Sequence, residues 1–481
     1  MSELILGPLI GGLSHNRAFL WGRADRPAKL YAWLGRLADL SDAWLAGESL
    51  PLTAETGYAG VAPLHDLQPE THYYYALTLQ PVTPLAASEV LPGETDFPGF
   101  QTFPQPGERK AFAFAFGSSI LPGDPNGGQT AASLYKHCQN DPLRFILLVG
   151  DQVYADAYPQ NGLNKIATGL DDFRETYLHS WSRPALHQLF AHLPAFMILD
   201  EHEAGRAWHW NDFARQRTAV PLRESLRRLL RLRPTQERSL SRATLQAALH
   251  ANWEHQGMHA PPAELAPQVS LDGEYTLQGD DPGSLAYTFT YGGAAFFVLD
   301  LRTWRVHAPS GSTLLGGAQW KILEDWLLAV KDLYPVKFLI SSSAFLMDRW
   351  PDLSLERWSA FPQERARLLS FLAANDIEGV YILTGGLRAA YAVHLDLYGP
   401  QGKDLQVWEF ASSPLEHKGG SQVGALGKPL RSGLAKRSTL AFKVDRLNYG
   451  VVQVGFQEDS RATVRFLLYG ADGKLLASAG D

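Results

Sequence analysis

The chain of 481 residues holds one cysteine, Cys138, and four methionines. A single thiol excludes an internal disulfide, so neither a disulfide scaffold nor an oxidising compartment is implied. Long apolar runs are missing as well. No stretch approaches the roughly 18 apolar residues of a membrane helix. The opening MSELILGPLIGG has no basic segment followed by a long apolar one. A cytoplasmic protein with no membrane segment is expected. An excess of positive charge is also lacking. Lys and Arg number 43 against 50 Asp and Glu, a net charge of −7. That argues against a dedicated nucleic-acid binder, which presents a strongly basic surface.

What is present fits a globular protein of two or three domains. Hydrophobic residues make up 45% of the chain and charged residues 19%, ordinary values for a packed core under a polar surface. Thirteen Trp and thirty Pro predict a loop-rich chain with large buried aromatics.

Residues 1–105 read as all-β. Short alternating runs such as Arg17–Trp21 and Leu30–Leu34 are broken by Gly and Pro. In LHDLQPETHYYYALTL, the residues Leu67, Pro69, Thr71 and Tyr73 predict a tyrosine corner, whose hydroxyl bonds the backbone a few residues upstream. A small fibronectin-like sandwich is expected, with the boundary at FPQPGER, 103–109. From residue 110 to 481 the pattern changes. Apolar strands begin the segments 111–119, 144–156, 196–199, 296–305, 337–343 and 380–388, several running into polar or acidic residues at their ends. Helical periodicity at Ala318–Val330 and Glu364–Ala374 lies between some of them. Such alternation predicts an α/β core buried on both faces, with functional residues on the carboxyl ends of its strands. Alternating runs from Ser438 to Leu476, with Asp472-Gly473 as a hairpin signal, supply closing strands.

An insertion at about 219–262 differs in composition. Arg223, Arg227, Arg228, Arg231, Arg233, Arg238 and Arg242 crowd it, opposed by Glu224 and Glu237. It reads either as a solvated helical face or as a surface, at 222–242, for an anionic ligand or partner protein.

Two strand tips carry the chemistry. GDQVYAD, Gly150 to Asp156, ends an apolar strand in a carboxylate over a sharp turn. This is how two-metal phosphoesterases present a bridging ligand, since divalent cations want anionic oxygen on a rigid element. LDEHE, Leu199 to Glu203, flanks one His with three carboxylates. There Asp200 or Glu201 could ligate metal and His202 could ligate or protonate a leaving group. The same letters also suit a helix N-terminus favoured by acidic residues.

Taken in order, FAFGSS, GDQVYAD, PAFMILDEHE, FFVLDLRTWR, LLGGAQWKILEDWL, FPQERARLLSFL, VYILTGG and VWEFASSPL resemble the PhoD-like alkaline phosphatases, of the calcineurin-like metallophosphatase superfamily. The resemblance implies a four-layer metallophosphatase sandwich, two β-sheets flanked by helices, behind the N-terminal sandwich. It also implies hydrolysis of phosphomonoesters or phosphodiesters with two or more metal ions, commonly iron with calcium or another divalent ion. By the same resemblance Asp151 matches the bridging carboxylate, and Tyr154 and Asp156 match metal-site positions. Glu201 and His202 stand for the second and third residues of the family's DDHE.

The departures gather at the strand tips. Ser119 stands where the family places a metal-binding Cys. Arg206 and Ala207, before Trp208, replace an Asn or Asp pair. Gly386 and Arg388 replace the Asp and His of SGDxH, and Ser359 replaces an Asp. Glycine supplies no ligand, and arginine is always protonated and repels a cation. The expectation is half a metal centre with arginine in the other half, and an Asp151–Arg388 ion pair where metal would sit. The corresponding function is a binding or structural protein with little or no phosphatase activity, its cleft open to phosphate or a phosphoester. The alternative is an active phosphoesterase with a reduced site. In it Asp151, Tyr154 and Glu201 hold a single iron, calcium, manganese or zinc ion, completed by water or His209. His202 then protonates the leaving oxygen and Arg388 stabilises the phosphoryl charge. His394 and Asp396 follow Arg388 too distantly to replace the lost ligands. His187, His192, Asp300 and Arg302 read as structural.

Overall fold

The computed structural model describes residues 2–84, 95–121, 127–158, 160–163, 165–205, 208, 240–265, 284–306, 312–349, 356–399, 404–417, 426–430, 435–457 and 461–480. Among these, two large sheets dominate. The six-stranded sheet runs Ala195–Ile198, Ile146–Val149, Phe112–Gly117, Asn448–Phe456, Ala462–Gly470, Leu475–Gly480 in spatial order. The eight-stranded sheet runs Ala263–Leu265, Ser284–Tyr291, Ala294–Val298, Val336–Ser341, Val380–Thr384, Asp404–Ala411, Ala390–Tyr398, Ala435–Val444. Ala195–Ile198, Ile146–Val149 and Phe112–Gly117 are parallel in the first sheet, as are Ala294–Val298, Val336–Ser341, Val380–Thr384 and Asp404–Ala411 in the second. Their continuous apolar composition follows from burial on both faces.

The sheets pack face to face through aromatic side chains. Phe114 of the first meets Phe338 of the second edge-on at 5.3 Å, and Phe410 meets Phe466 at 4.9 Å. Helices cover the outer faces. Gln129–Asn140, Leu170–Trp181, Pro184–His192 and Arg242–His255 lie over the six-stranded sheet, burying Leu134, Phe173, Leu189 and Leu249. Gly316–Val330 and Pro362–Ala374 lie over the other, burying Trp320, Leu323 and Leu369. The result is a mixed α/β fold layered helix, sheet, sheet, helix. The tail strands divide between the sheets, Ala435–Val444 joining the second and the rest the first. Gly473, at φ +74°, makes their final turn.

Residues 4–101 contribute a three-stranded and a four-stranded sheet. The corner forms at Tyr73, whose hydroxyl accepts from Gln68 N–H at 2.9 Å. The core of these strands is continuous with the main one. Phe103 is fully buried and contacts Phe145, Phe196 and Tyr291. Two hydrogen bonds fasten the same face to the helical layer: Trp21 Nε1 donates to Glu254 O at 2.8 Å, and the Tyr75 hydroxyl donates to Ala191 O at 2.7 Å.

Most of the Arg-rich stretch lies outside the described residues. The described helix that follows it, Arg242–His255, buries Leu245, Ala248, Leu249 and Ala251 and fully encloses Glu254. Apolar residues at helical spacing give that helix its buried face.

Candidate active-site cleft

Parallel strands bring their carboxyl ends to one edge, and there the two sheets meet. Ser119 follows Phe112–Gly117, Asp151 follows Ile146–Val149, and Asp200, Glu201 and His202 follow Ala195–Ile198. From the second sheet come Ser342, then Gly386 and Arg388, then Ser413. The turns are tight. Gly150 is at φ +88°, and a Cβ there would stand 2.6 Å from the Cβ of Asp200. Ser119 (φ +68°), Asp151 (φ +58°) and Arg388 (φ +48°) adopt the left-handed conformation despite carrying side chains. Such outliers persist only where surrounding structure imposes them, and they concentrate at functional sites.

Glu203 ties the two turns of the first sheet together. Its carboxyl oxygens accept from Gln152 N–H at 2.7 Å and Asp200 N–H at 2.9 Å. Burial, reinforced by Asp151, holds this acid well above the usual carboxylate range. Asp151 accepts from His202 N–H at 3.3 Å and from the Tyr154 hydroxyl at 3.3 Å. Burial pushes it up to about 7 despite the nearby His202 charge. The Tyr154 ring stacks on His202 at 4.2 Å. His202 Nδ1 lies 2.7 Å from Asp156 Oδ1, and its Nε2 lies 3.4 Å from Glu201 Oε1. Burial alone would lower the imidazole, but Asp156 and Asp151 outweigh it and raise it to about 10. His202 is therefore a standing cation at neutral pH.

Two further cations enter from Leu301–Arg305. Arg302 donates through Nε to Asp200 Oδ1 at 2.6 Å and through Nη1 to Glu356 at 3.0 Å. Ser342 Oγ donates to the same Asp200 oxygen at 2.7 Å. Arg305 Nη2 donates to Trp208 O at 2.7 Å, and its Nη1 lies 3.8 Å from Glu356. Glu356 and Glu201 hydrogen-bond each other. Burial and the Glu201 charge hold Glu356 up, while the bond from Glu356 and the His202 charge hold Glu201 down despite burial.

The sequence-predicted residues are only partly gathered. Asp151, Tyr154, Asp156, Glu201 and His202 share one connected network. Ser119 is fully buried, with Oγ 3.2 Å from Ser413 Oγ. The expected Asp151–Arg388 ion pair does not form. Arg388 N–H donates to Ser413 Oγ at 3.0 Å, and its Nη1 lies 3.4 Å from His417 Nε2. The reason is the left-handed backbone at Arg388, which spacing in the sequence cannot reveal. Gly386 lies beside Asp200: a Cβ there would stand 3.2 Å from Asp200 Oδ2 and 2.6 Å from Ser342 O. Arg206, Ala207 and His209 lie outside the described residues. His394 stacks on Trp408 at 4.6 Å, inside a strand. His187 and His192 bond backbone carbonyls of Gly7 and Gln188. Asp300 caps its own turn, accepting from Arg302 N–H and Thr303 N–H.

The guanidinium among the carboxylates is therefore that of Arg302, a residue read from sequence as structural. Two arginines three apart just beyond a strand tip were the available signal. Glu356 and His417 come from loops and gave none. Among the described residues, no grouping of three or more His, Cys, Asp or Glu could hold a metal ion. No described helix is long and apolar enough to cross a membrane.

This layered scaffold with its ring of strand tips has known counterparts. A family model, PhoD-like phosphatase, matches residues 114–464. The chain belongs to the PhoD-like phosphatase family. Alkaline phosphatase D of Bacillus subtilis (strain 168) is 23% identical over 364 residues, 68% of this chain. The match spans 53%, about half, of that relative's length. A solved structure of PhoD superposes with a TM-score of 0.66 at 18% identity, covering 99% of this chain and 92% of that one. Purple acid phosphatase from yellow lupin (Lupinus luteus) seeds gives a TM-score of 0.59 at 12% identity, covering 98% and 73%. At such identities these structures show the fold alone, a metallophosphatase-type fold.

Proposed function

We propose that this PhoD-like protein has lost the family's two-metal centre and serves as a binding or structural protein built on the metallophosphatase scaffold. One observation carries the reading: buried side-chain cations face the carboxylates of the cleft. His202 neutralises Asp156 and Glu201, and Arg302 neutralises Asp200 and Glu356. The Asp200 oxygen engaged by the Arg302 guanidinium and the Ser342 hydroxyl has little left to give a cation. The positions that would complete a ligand set are a serine (Ser119), a glycine (Gly386) and an arginine (Arg388). The residues present do not fit a pair of metal ions.

Within this reading, residues 1–105 form a fibronectin-like sandwich packed on the phosphatase-like domain of 110–481. The protein is cytoplasmic, and the Arg-rich stretch 222–242 offers a surface for an acidic partner. The test is turnover of bis-p-nitrophenyl phosphate by purified protein supplied in turn with iron, calcium, manganese and zinc. No turnover above a matched Asp151→Ala preparation is expected. Turnover that Asp151→Ala abolishes overturns the proposal in favour of a phosphoesterase with a reduced metal site.

A further inference from the structure

Three histidines on one helix and the turn after it meet the N-terminal strands. His250 and His255 lie on Arg242–His255, and His259 ends the turn Gly257–His259. His250 Nε2 lies 3.0 Å from the backbone O of Glu55 and donates to it. His255 Nε2 lies 3.4 Å from Nη1 of Arg23, on strand Ala18–Ala24. His259 packs against Trp21 of that strand, with ring centroids 6.2 Å apart, and against Gly11, where a Cβ would strike its Nδ1. Trp21 is fully buried in this seam and donates to Glu254 O at 2.8 Å.

The hydrogen bonds fix two of these rings as neutral. His255 Nδ1 is 2.7 Å from Ala251 O, and a carbonyl only accepts, so that nitrogen carries the proton. Arginine only donates, so the Nε2 facing Arg23 is bare. His259 is the reverse case. Its Nε2 donates to His255 O at 2.8 Å, and its Nδ1 is buried with no hydrogen-bond partner among the described residues. A second proton on His255 points at a guanidinium, and one on His259 points at a glycine backbone. Neither finds an acceptor, and a buried cation without one is costly. The charges around His255 are already engaged. Glu254 accepts from Arg174 Nε at 2.9 Å and lies 3.1 Å from His250 Nε2, while Asp171 stands 3.3 Å from Arg174 Nη1. Tyr177 stacks on His255 at 4.3 Å, and its hydroxyl accepts from Asn252 and Gln256.

We propose that this seam is an acid-sensitive latch: protonation of His255 and His259 drives helix Arg242–His255 away from the N-terminal strands while the two large sheets stay folded. The latch does not depend on what the cleft holds. Burial and the Arg23 charge hold His255 down at about 3, and burial holds His259 down at about 4. A histidine exposed by opening titrates near 6.5, so the open form takes up protons first. The latch is firmest above that value. It loosens as pH falls from about 6.5 towards 4, by up to about a hundredfold per pH unit, roughly tenfold for each proton.

Hydrogen exchange of the full chain, read by mass spectrometry between about pH 7.5 and 4.5, tests this across the titration window. After correction for intrinsic rates, protection is expected to fall with acid in 18–24 and 242–259 together, while the core strand Val380–Thr384 keeps its own. His255→Gln and His259→Gln each remove about tenfold per pH unit from that dependence, and the double variant is flat. A measurement on the parent covers the case of a variant that fails to fold. Nitrogen NMR of protein carrying labelled histidine, at about one pH unit below the ordinary histidine value, is expected to show both rings neutral, His255 as the Nδ1–H tautomer and His259 as the Nε2–H tautomer. Seam protection that does not change with pH, an equal loss at Val380–Thr384, a dependence that survives in the double variant, or a protonated ring at either position overturns the inference.

Discussion

Arg302→Ala removes the guanidinium that faces two buried carboxylates. Arg302 and Asp200 each keep 4% of their side-chain surface exposed, and Glu356 keeps 14%. After truncation Asp200 keeps the Ser342 Oγ donor at 2.7 Å, and the nearest arginine nitrogen to Glu356 becomes Arg305 Nη1 at 3.8 Å. Removing one partner of a buried, hydrogen-bonded charge pair costs about 3–5 kcal/mol, mostly because the other charge is left in a poorly solvated place. That is a large share of the roughly 5–15 kcal/mol that holds a typical folded protein together. The assay is equilibrium urea unfolding near pH 7, read as a shift in midpoint at constant slope. A second variant separates charge from packing. In Arg302→Ala with Asp200→Asn the stranded charge is gone, so the double variant regains part of the loss. The two substitutions are then non-additive, as expected of residues in contact. A loss below about 1 kcal/mol for Arg302→Ala, smaller than buried pairs give, refutes the reasoning. Strict additivity in the double variant refutes it too.

Gly386→Asp, which writes the family's residue back, destabilises by about 1–3 kcal/mol or more, because φ is +72° and a Cβ lands 2.6 Å from Ser342 O; a thermal melt matching the parent contradicts this. Tyr73→Phe strands the Gln68 N–H at the corner and lowers stability by about 1–2 kcal/mol, checked by the same unfolding assay. Acidification destabilises the helix Arg242–His255 through His255, which burial and the Arg23 charge hold down at about 3. Its pKa when unfolded is about 6.5, so the unfolded chain takes the proton first. The stabilisation is complete above that value and falls between pH 6.5 and pH 3, by up to about 1.4 kcal/mol per pH unit. His255→Gln flattens the pH profile of unfolding over this window, and an unchanged slope counts against the assignment.

The fold was legible in the sequence wherever one physical signal dominated. Apolar strands at 146–149, 195–198, 336–341 and 380–384 announced themselves because burial on both faces leaves no room for polar residues. Tyr73 was legible because its corner is a local motif. The site was legible only along the chain. GDQVYAD and DEHE marked two tips, and the structure joins them through His202 and Glu203. What crosses between the sheets was hidden. Arg302 reaches Asp200 across 102 positions, and Glu356 joins from a loop with no pattern of its own. Arg388 was expected on Asp151, but a backbone at φ +48° aims it at His417. Side-chain direction at a strained turn depends on dihedrals that spacing does not carry. The arginine-rich run itself lies almost wholly outside the described residues, and the helix after it, Arg242–His255, packs by its apolar residues.

The central claim is that side-chain cations have taken the place of metal ions in this cleft. Metal content by inductively coupled plasma mass spectrometry tests it most directly, on protein purified without chelator after growth with iron, calcium, manganese and zinc, and paired with a thermal melt with and without EDTA. The account predicts well under one metal ion per chain and an unchanged melting temperature. One or more tightly held ions per chain, with a melting temperature that falls in EDTA, contradicts it.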